Sequence, residues 1–235
     1  MAQDMVNIAA KVRSLNGGKL HAVVNNAGIA RGAEVLVQDI SDYENTLNVN
    51  LMGSIRFTKA ALPMLIDTPG SRVVFMSSVC GLVPLPSFSS YAASKHGIEG
   101  FASVLQAEMD VFGVQVTILN PSSISTTMLE TSNEDYIKCH SAAPPEAKEL
   151  YGQDYIDKVI ASRQRENIPS YVFDTPDVVV EDLCRAVGAK KTQIRYLSGR
   201  AAKSFFRLAH IFPSLMRSLN HMTATANPPA FCSRK

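Results

Sequence analysis

Short apolar runs alternate along the chain with longer stretches in which apolar residues recur every three or four positions. The short runs are typical of buried strands, and the longer period is typical of amphipathic helices. The pattern predicts strands at 20–24, 73–75, 114–119 and 193–197. It predicts helices at 2–15, 40–66, 89–112, about 145–166 and 176–188, and it leaves 127–175 less regular as a whole. This alternation predicts an α/β fold built on a doubly wound parallel sheet.

The stretch from Arg72 to Gly97 carries the clearest candidate chemistry. Tyr91 and Lys95 are four residues apart on a predicted helix, so their side chains share one face. A nearby ammonium favours the phenolate, and we therefore expect Lys95 to lower the pKa of Tyr91 from its usual value of about 10. A phenol tuned in this way can act as a general acid or base. Ser78, at the end of the preceding strand, can bring a hydroxyl to the same place.

Two further polar features follow the same order along the chain. Asn25-Asn26-Ala27-Gly28 ends the strand at 20–24, and Asn50 comes 25 positions after Asn25. Ser78 precedes Tyr91 by 13 positions. Taken singly, these features have ordinary explanations: an exposed helix face, a plain turn and a solvated asparagine. Taken together, with Tyr91-x-x-x-Lys95, they resemble the motifs of the short-chain dehydrogenase/reductase family over roughly residues 2–216.

The resemblance implies a Rossmann-like fold and an oxidoreductase that uses NAD or NADP. It implies a catalytic set of Asn50, Ser78, Tyr91 and Lys95, with Asn50 helping to hold a water that links Lys95 to solvent. It places the cofactor against the turn after the first strand, the catalytic helix and the end of the strand at 114–119. The implied cofactor-binding residues are Asn25, Ala27, Gly28, Tyr91, Lys95, Pro121, Ile124 and Thr126.

The resemblance also implies a substrate class. The phrases FGVQVTILNP and IRYLSGRAAKSFFRLAHIFP are similar to the branch that holds retinol, 17β-hydroxysteroid and 3-hydroxybutyrate dehydrogenases. We therefore expect interconversion of a secondary alcohol and a ketone or aldehyde of a lipid-like small molecule. In the family, the segment matching 127–175 is a lid over the substrate pocket, and the helices matching 40–66 and 89–112 pair in homodimers.

One part of the family pattern is missing from the chain. Before Leu20 there is no strand followed by a glycine-rich turn and a helix, the fingerprint that binds a dinucleotide pyrophosphate. The expectation is an N-terminally truncated Rossmann-like domain over residues 1–219, with the strand at 20–24 exposed at the sheet edge. The alternative function is a catalytically inactive partner that binds or regulates a full-length dehydrogenase.

Composition limits the classes of partner and the cellular compartments that we expect for this protein. A formal net charge of +2 does not favour a nucleic-acid partner. The four cysteines show neither metal-binding nor paired spacing, so we expect no metal and a reducing, intracellular compartment. The sequence shows neither a signal peptide nor an apolar run of transmembrane length. Cytoplasmic or peripheral membrane association, at the endoplasmic reticulum or mitochondrion by resemblance, is expected.

The C-terminal part mixes apolar and basic residues. Within 201–219, phenylalanine, leucine and isoleucine alternate with Lys203, Arg207 and Arg217. Such a segment can lie on a membrane surface, but covering the substrate pocket or a partner chain is the favoured interpretation. Residues 220–235 are expected to form a flexible tail.

Overall fold

The computed structural model describes residues 2–83, 85–163, 173–212 and 214. The strands are β1 (Ala22–Asn25), β2 (Arg72–Met76), β3 (Gln115–Pro121) and β4 (Arg195–Ser198). The helices are α1 (Ala2–Ser14), α2 (Ile40–Leu47), α3 (Gly53–Ile66), α4 (Ser89–Asp110), α5 (Thr127–Ala142), α6 (Pro145–Tyr151), α7 (Gln153–Arg163), α8 (Asp177–Gly188) and α9 (Arg207–Ile211). None of the helices within these ranges is long and apolar enough to cross a membrane.

The strands form one parallel sheet in the order β1-β2-β3-β4. Alternate residues of β2 face opposite layers. Val73 and Phe75 pack with α3 and α4, whereas Val74 packs with Leu119 and with Ala186 of α8. Both faces of the central strands are therefore buried, as parallel sheets require. The predicted α/β class and doubly wound parallel sheet are confirmed.

Helix boundaries agree closely with the apolar pattern in the first half of the chain. The predicted helix at 40–66 is continuous, with a π-helical segment, Asn48–Met52, between α2 and α3. The strands predicted at 20–24 and 193–197 are shifted by one or two residues, to Ala22–Asn25 and Arg195–Ser198. Within the described residues β1 pairs with β2 alone, so it lies at the sheet edge as expected.

The expectation of a less regular segment after β3 is wrong over residues 127–142, which form α5. Among the α5 side chains that the structure describes, the buried ones are Ser132, Tyr136 and His140, spaced four apart on one face. Because two of these residues are polar and the third is an aromatic with a hydroxyl, the helix lacks the aliphatic stripe that reveals an amphipathic helix in sequence. Helices α6 and α7 occupy most of the range predicted as helical at about 145–166.

Part of the C-terminal segment packs beside α4. Ala202 and Phe206 are buried against the loop after β2, in a cluster that Tyr91 also contacts. Ile211 and Phe212, by contrast, are more than half exposed. The first turns of 201–219 therefore pack against the body of the domain, and a role as a cover over the substrate pocket or a partner chain stays a prediction. The tail at 220–235 lies outside the described residues.

Two glycines give a stability prediction. A Cβ on Gly32 would overlap the carbonyl oxygen of Ser87, whose own backbone has a φ of 61°. We expect Gly32→Ala to lower the free energy of unfolding by about 1–3 kcal/mol, measured by urea denaturation. Gly100 is the matched control, because a Cβ there meets no atom within 4 Å in the middle of α4. Gly100→Ala should raise stability by about 0.5–1 kcal/mol, and equal effects at the two positions would contradict the prediction.

Candidate active site

The carboxyl ends of the parallel strands bring the predicted residues to one edge of the sheet. Asn25 ends β1 opposite Phe75 of β2, and Met76 ends β2 opposite Leu119 of β3. Ser78 therefore follows β2 beside the turn after β1 and the end of β3. In open parallel sheets this edge is where ligands bind.

Helix α4 places Tyr91 and Lys95 beside Ser78. The Lys95 ammonium nitrogen, Nζ, lies 5.5 Å from the centroid of the Tyr91 ring, and the Ser78 hydroxyl lies near enough to the Tyr91 phenol to lower its pKa. Lys95 is buried, and its Nζ donates a 2.7 Å hydrogen bond to the carbonyl oxygen of Met76. Ser78, Tyr91 and Lys95, three members of the predicted catalytic set, are thus adjacent.

The expectation that Lys95 lowers the pKa of Tyr91 is wrong for this structure. Burial raises the pKa of Tyr91, the neighbouring Cys80 raises it further, and the hydrogen bond with Ser78 offsets this only in part. Burial also lowers the pKa of Lys95 to about 8, against the opposing effect of Cys80 and Glu99. The Lys95 ammonium is directed at Met76, and desolvation outweighs its attraction for a phenolate. Tyr91 is therefore held as the neutral phenol.

Ser78 has an extended backbone, with φ −166° and ψ 164°, and caps the short 3₁₀ turn Val79–Gly81. Its hydroxyl oxygen accepts a 3.1 Å hydrogen bond from the backbone nitrogen of Cys80. This contact fixes the position of the Ser78 hydroxyl at the start of the loop after β2, close to Tyr91.

Asn50 lies in the π-helical segment between α2 and α3 and is 1% exposed. Its side-chain oxygen accepts from the backbone nitrogen of Ile29 at 2.8 Å, and its side-chain nitrogen donates to the carbonyl oxygen of Ile29 and to the hydroxyl of Ser94, both at 2.9 Å. Asn50 therefore ties the turn after β1 to the helix that carries Tyr91 and Lys95. Short π-helical segments of this kind are frequent at functional sites.

The turn after β1 forms a small cradle over Lys95. A Cβ on Gly28 would lie 3.4 Å from the side-chain oxygen of Asn50 and 3.7 Å from Nζ of Lys95. A side chain at this position would fill the space above the lysine. Gly28, Asn50 and Lys95 could therefore contact a group that is bound beside this turn.

The remaining predicted cofactor residues take different positions. Asn25 is buried and turns towards α3, where its amide donates to Thr58 at 2.9 Å, so its side chain supports the turn instead of lining the cradle. Ala27 is exposed in the turn. Pro121 ends β3, and Ile124 and Thr126 follow, with Ile124 bridging Asp174 and Thr126 preceding α5. These three follow β3, which is separated from β1 by β2, at the same edge of the sheet.

Several supporting residues were not singled out from the sequence. They are Ile29, Met76, Ser94, Glu99, Asn120 and Arg195, which bind or surround the predicted residues. Backbone contributions such as those of Ile29 and Met76 leave no signal in the sequence. Glu99 did leave one, because it follows Lys95 by four positions on the same helix.

A second buried polar cluster joins the helices after β3 to the loop after β1. One Glu34 oxygen accepts from the hydroxyls of Tyr136, Tyr155 and Ser87 at 3.0–3.1 Å, and the other lies 2.7 Å from a ring nitrogen of His140. Burial opposes ionisation of Glu34, but the hydrogen bonds and the nearby His140 outweigh it and lower its pKa to about 2. A single carboxylate thus holds α5, α7 and the loop before α4 together.

Comparison with known proteins gives one consistent family. Residues 1–137 match the family model described as short chain dehydrogenase. Human 17-beta-hydroxysteroid dehydrogenase type 2 is 34% identical over 203 residues, which cover 83% of this chain and 50% of that protein. Retinol dehydrogenase 5 of Mus musculus is 32% identical over 220 residues, covering 90% of this chain and 67% of that protein. The chain spans about half the length of the first curated relatives that it matches.

Solved structures agree on the fold. A short chain dehydrogenase from Burkholderia cenocepacia J2315, in complex with NADP, superposes with a TM-score of 0.67 at 18% identity, covering 94% of this chain and 74% of that one. At this identity the likeness concerns the fold alone.

Proposed function

Because this chain belongs to the short-chain dehydrogenase family, we propose that it interconverts an alcohol and the corresponding carbonyl compound of a lipid-like molecule, a secondary alcohol with a ketone or a primary alcohol with an aldehyde, with NAD or NADP as cofactor. The observation that carries the proposal is the convergence of Ser78, Tyr91, Lys95 and Asn50 at the carboxyl edge of the sheet. A bound nicotinamide would supply the hydride donor or acceptor.

The side chains then have distinct roles. Tyr91, held as the neutral phenol, donates a proton to the carbonyl oxygen in the reductive direction and takes it back in oxidation. Ser78 hydrogen-bonds the same oxygen and stabilises the charge that develops on it. Asn50 holds the turn after β1 over Lys95 and is proposed to place a water that connects Lys95 with solvent.

The proposed contacts with the cofactor are centred on the turn after β1 and on Lys95. Gly28 leaves open the space above Lys95, and Lys95 would hold ribose hydroxyls there. Ala27 would border the same group from the turn, and Pro121, Ile124 and Thr126 would border the nicotinamide from the end of β3. Asn25 would act through its hydrogen bond to Thr58, which keeps the turn in place.

The substrate side is apolar. Val79, Val83 and Phe206 are buried in one cluster that Tyr91 contacts. Apolar side chains packed beside the proposed proton donor support a steroid, a retinoid or a hydroxy acid with an aliphatic chain as substrate. The helices within 127–163 are proposed to form the lid over this surface.

A coupled assay tests the proposal. The purified chain is incubated with NADH or NADPH and a panel of steroid ketones, retinal and 3-oxo acids, and nucleotide oxidation is followed by absorbance. We expect turnover of at least one lipid-like ketone or aldehyde with one of the two nucleotides. A folded chain that binds nucleotide but turns over no carbonyl compound of the panel would contradict it and favour a binding or regulatory role.

A further inference from the structure

Side chains of α2 and of the loop before it bind the first turn of α4. The Gln38 amide nitrogen donates to the hydroxyl of Ser90 at 2.9 Å. The Ser89 hydroxyl donates to the Gln38 amide oxygen at 3.4 Å and lies 2.6 Å from the hydroxyl of Tyr43. Gln38 and Ser90 are both buried, and Ser90 directly precedes Tyr91 in the chain. The proposed proton donor therefore lies at a helix start that other segments hold in place.

Ser87, just before α4, has a backbone that needs support from its surroundings. Among the non-glycine residues that the structure describes, Ser87 alone has a left-handed backbone, with a φ of 61°. Such a conformation is costly and persists where neighbouring groups hold it. The Ser87 hydroxyl donates to Glu34 at 3.1 Å, and the Ser87 carbonyl oxygen occupies the space that a side chain on Gly32 would need. The path by which the chain enters α4 therefore depends on Glu34.

Glu34 also binds the helices after β3. The Glu34 oxygen that accepts from Ser87 accepts as well from two tyrosine hydroxyls. They belong to Tyr136 of α5, at 3.0 Å, and to Tyr155 of α7, at 3.1 Å. The backbone nitrogen of Gln38 donates to the carbonyl oxygen of Glu34 at 3.0 Å, so these two residues share one short turn. This turn therefore connects α5 and α7 with the start of α4.

We propose that Glu34 is a positioning residue that couples the packing of α5 and α7 to the placement of Tyr91. The inference rests on the proposed function and deepens it, because it names a contact through which the proposed lid acts on the proton donor. A general acid must lie within hydrogen-bond reach of the oxygen that it protonates. While α5 and α7 are bonded to Glu34, Ser87 is held and the start of α4 is fixed. Without these bonds the first turn of α4 opens more often, and turnover falls more than substrate binding does.

The test measures the opening of the first turn of α4, without nucleotide or substrate. The variant Tyr136→Phe/Tyr155→Phe removes both hydroxyls that bind Glu34 from the helices after β3, and it leaves every residue of α4 unchanged. Amide hydrogen exchange, followed by NMR, reports on Ala92, whose backbone nitrogen donates to the carbonyl oxygen of Phe88 at 2.7 Å. Ala92 should exchange faster than in the parent chain by at least about tenfold, the effect of losing a hydrogen bond to a charged group.

A second background separates coupling from a general loss of stability. Ser87→Gly removes the hydroxyl that is bonded to Glu34, and glycine adopts the left-handed backbone without strain. In this background the two tyrosine substitutions should accelerate exchange of Ala92 by less than about twofold, because the connection is already broken. An equal acceleration in both backgrounds would overturn the proposal, since independent effects are additive.

Tyr151→Phe is the matched control. Tyr151 stacks on Tyr155 with ring centroids 5.5 Å apart, and its hydroxyl is not among the three that bind Glu34. Exchange of Ala92 in this variant should follow the parent chain. If the double variant does not fold, Tyr155→Phe alone, at a partly buried position, replaces it with the same expectations. Failure of that chain to fold would also overturn the proposal, because the bond would then hold the whole fold.

Kinetics give a second readout in any active form. The double variant should show a lower kcat with a KM close to that of the parent chain, because the proton donor is displaced while the substrate surface is kept. An unchanged exchange rate of Ala92, or an unchanged kcat in an active chain, contradicts the assigned role of Glu34. Absence of turnover in the parent chain counts against the proposed function alone, because the exchange measurement does not depend on it.

Discussion

Tyr91→Phe should lower turnover of any carbonyl substrate by at least about 100-fold, the lower end of what a positioned general acid contributes. The substitution removes the phenolic proton and leaves the ring in the cluster with Val79 and Val83. Nicotinamide affinity should be largely intact, because the cradle is formed by Gly28, Asn50 and Lys95. The measurement is kcat and KM with the best substrate of the panel, alongside nucleotide binding by fluorescence.

Tyr196→Phe is the matched control. Tyr196 is a buried tyrosine of β4 whose hydroxyl contacts Thr192 and the backbone of Gln193, so the same deletion falls away from the proposed proton path. Its kcat should stay close to that of the parent chain. Retained turnover in Tyr91→Phe would remove Tyr91 from the mechanism, and an equal loss in both variants would point to a general effect of losing a buried hydroxyl.

Glu34→Gln should reveal a pH-dependent contact between helices α5 and α7 and the rest of the domain. The pKa of Glu34 is lowered from its ordinary 4.5 to about 2. A carboxyl whose pKa is lower in the folded state stabilises the fold above pH 4.5, and this contribution is lost as the pH falls from 4.5 towards 2. A shift of this size corresponds to about 3 kcal/mol at neutral pH.

Urea denaturation of both chains between pH 7 and pH 2 measures this contribution. Above pH 5 the parent chain should be more stable than Glu34→Gln by up to about 3 kcal/mol, and the difference should shrink as the pH approaches 2. Glu44→Gln, which removes an exposed carboxylate from α2, should follow the parent at every pH. A difference between parent and Glu34→Gln that is constant across this range would contradict the assignment of the cluster to an ionised Glu34.

The parts of the fold that the sequence predicted are those in which local pattern decides structure. The β-branched run at Val73–Phe75 and the apolar stripe of α4 marked their elements, and the order of Asn50, Ser78, Tyr91 and Lys95 marked the site. Once a parallel sheet is predicted, these residues are expected to lie close together, because the carboxyl ends of its strands share one edge. The shifted strand ends reflect hydrogen-bond pairing, which the apolar pattern does not report.

The parts that the sequence did not predict depend on contacts between distant segments. Glu34 meets Ser87, Tyr136 and Tyr155, which are 53 to 121 positions away. Buried polar side chains of this kind do not form the apolar repeat from which a helix is predicted. The sequence pattern therefore did not predict α5. The direction of the Tyr91 pKa shift was missed because spacing reports the nearby ammonium but not the burial, and burial is the larger effect here.

The most direct test of the proposed function is nucleotide binding by the 235-residue chain. The purified protein is titrated with NADH and with NADPH while nucleotide fluorescence and near-UV circular dichroism are recorded. Saturable binding of one nucleotide by the folded chain is expected, together with its loss in folded Gly28→Val, whose side chain would fill the cradle above Lys95. A folded parent chain that binds neither nucleotide, or a Gly28→Val variant that binds as well as the parent, would contradict the proposed cofactor site.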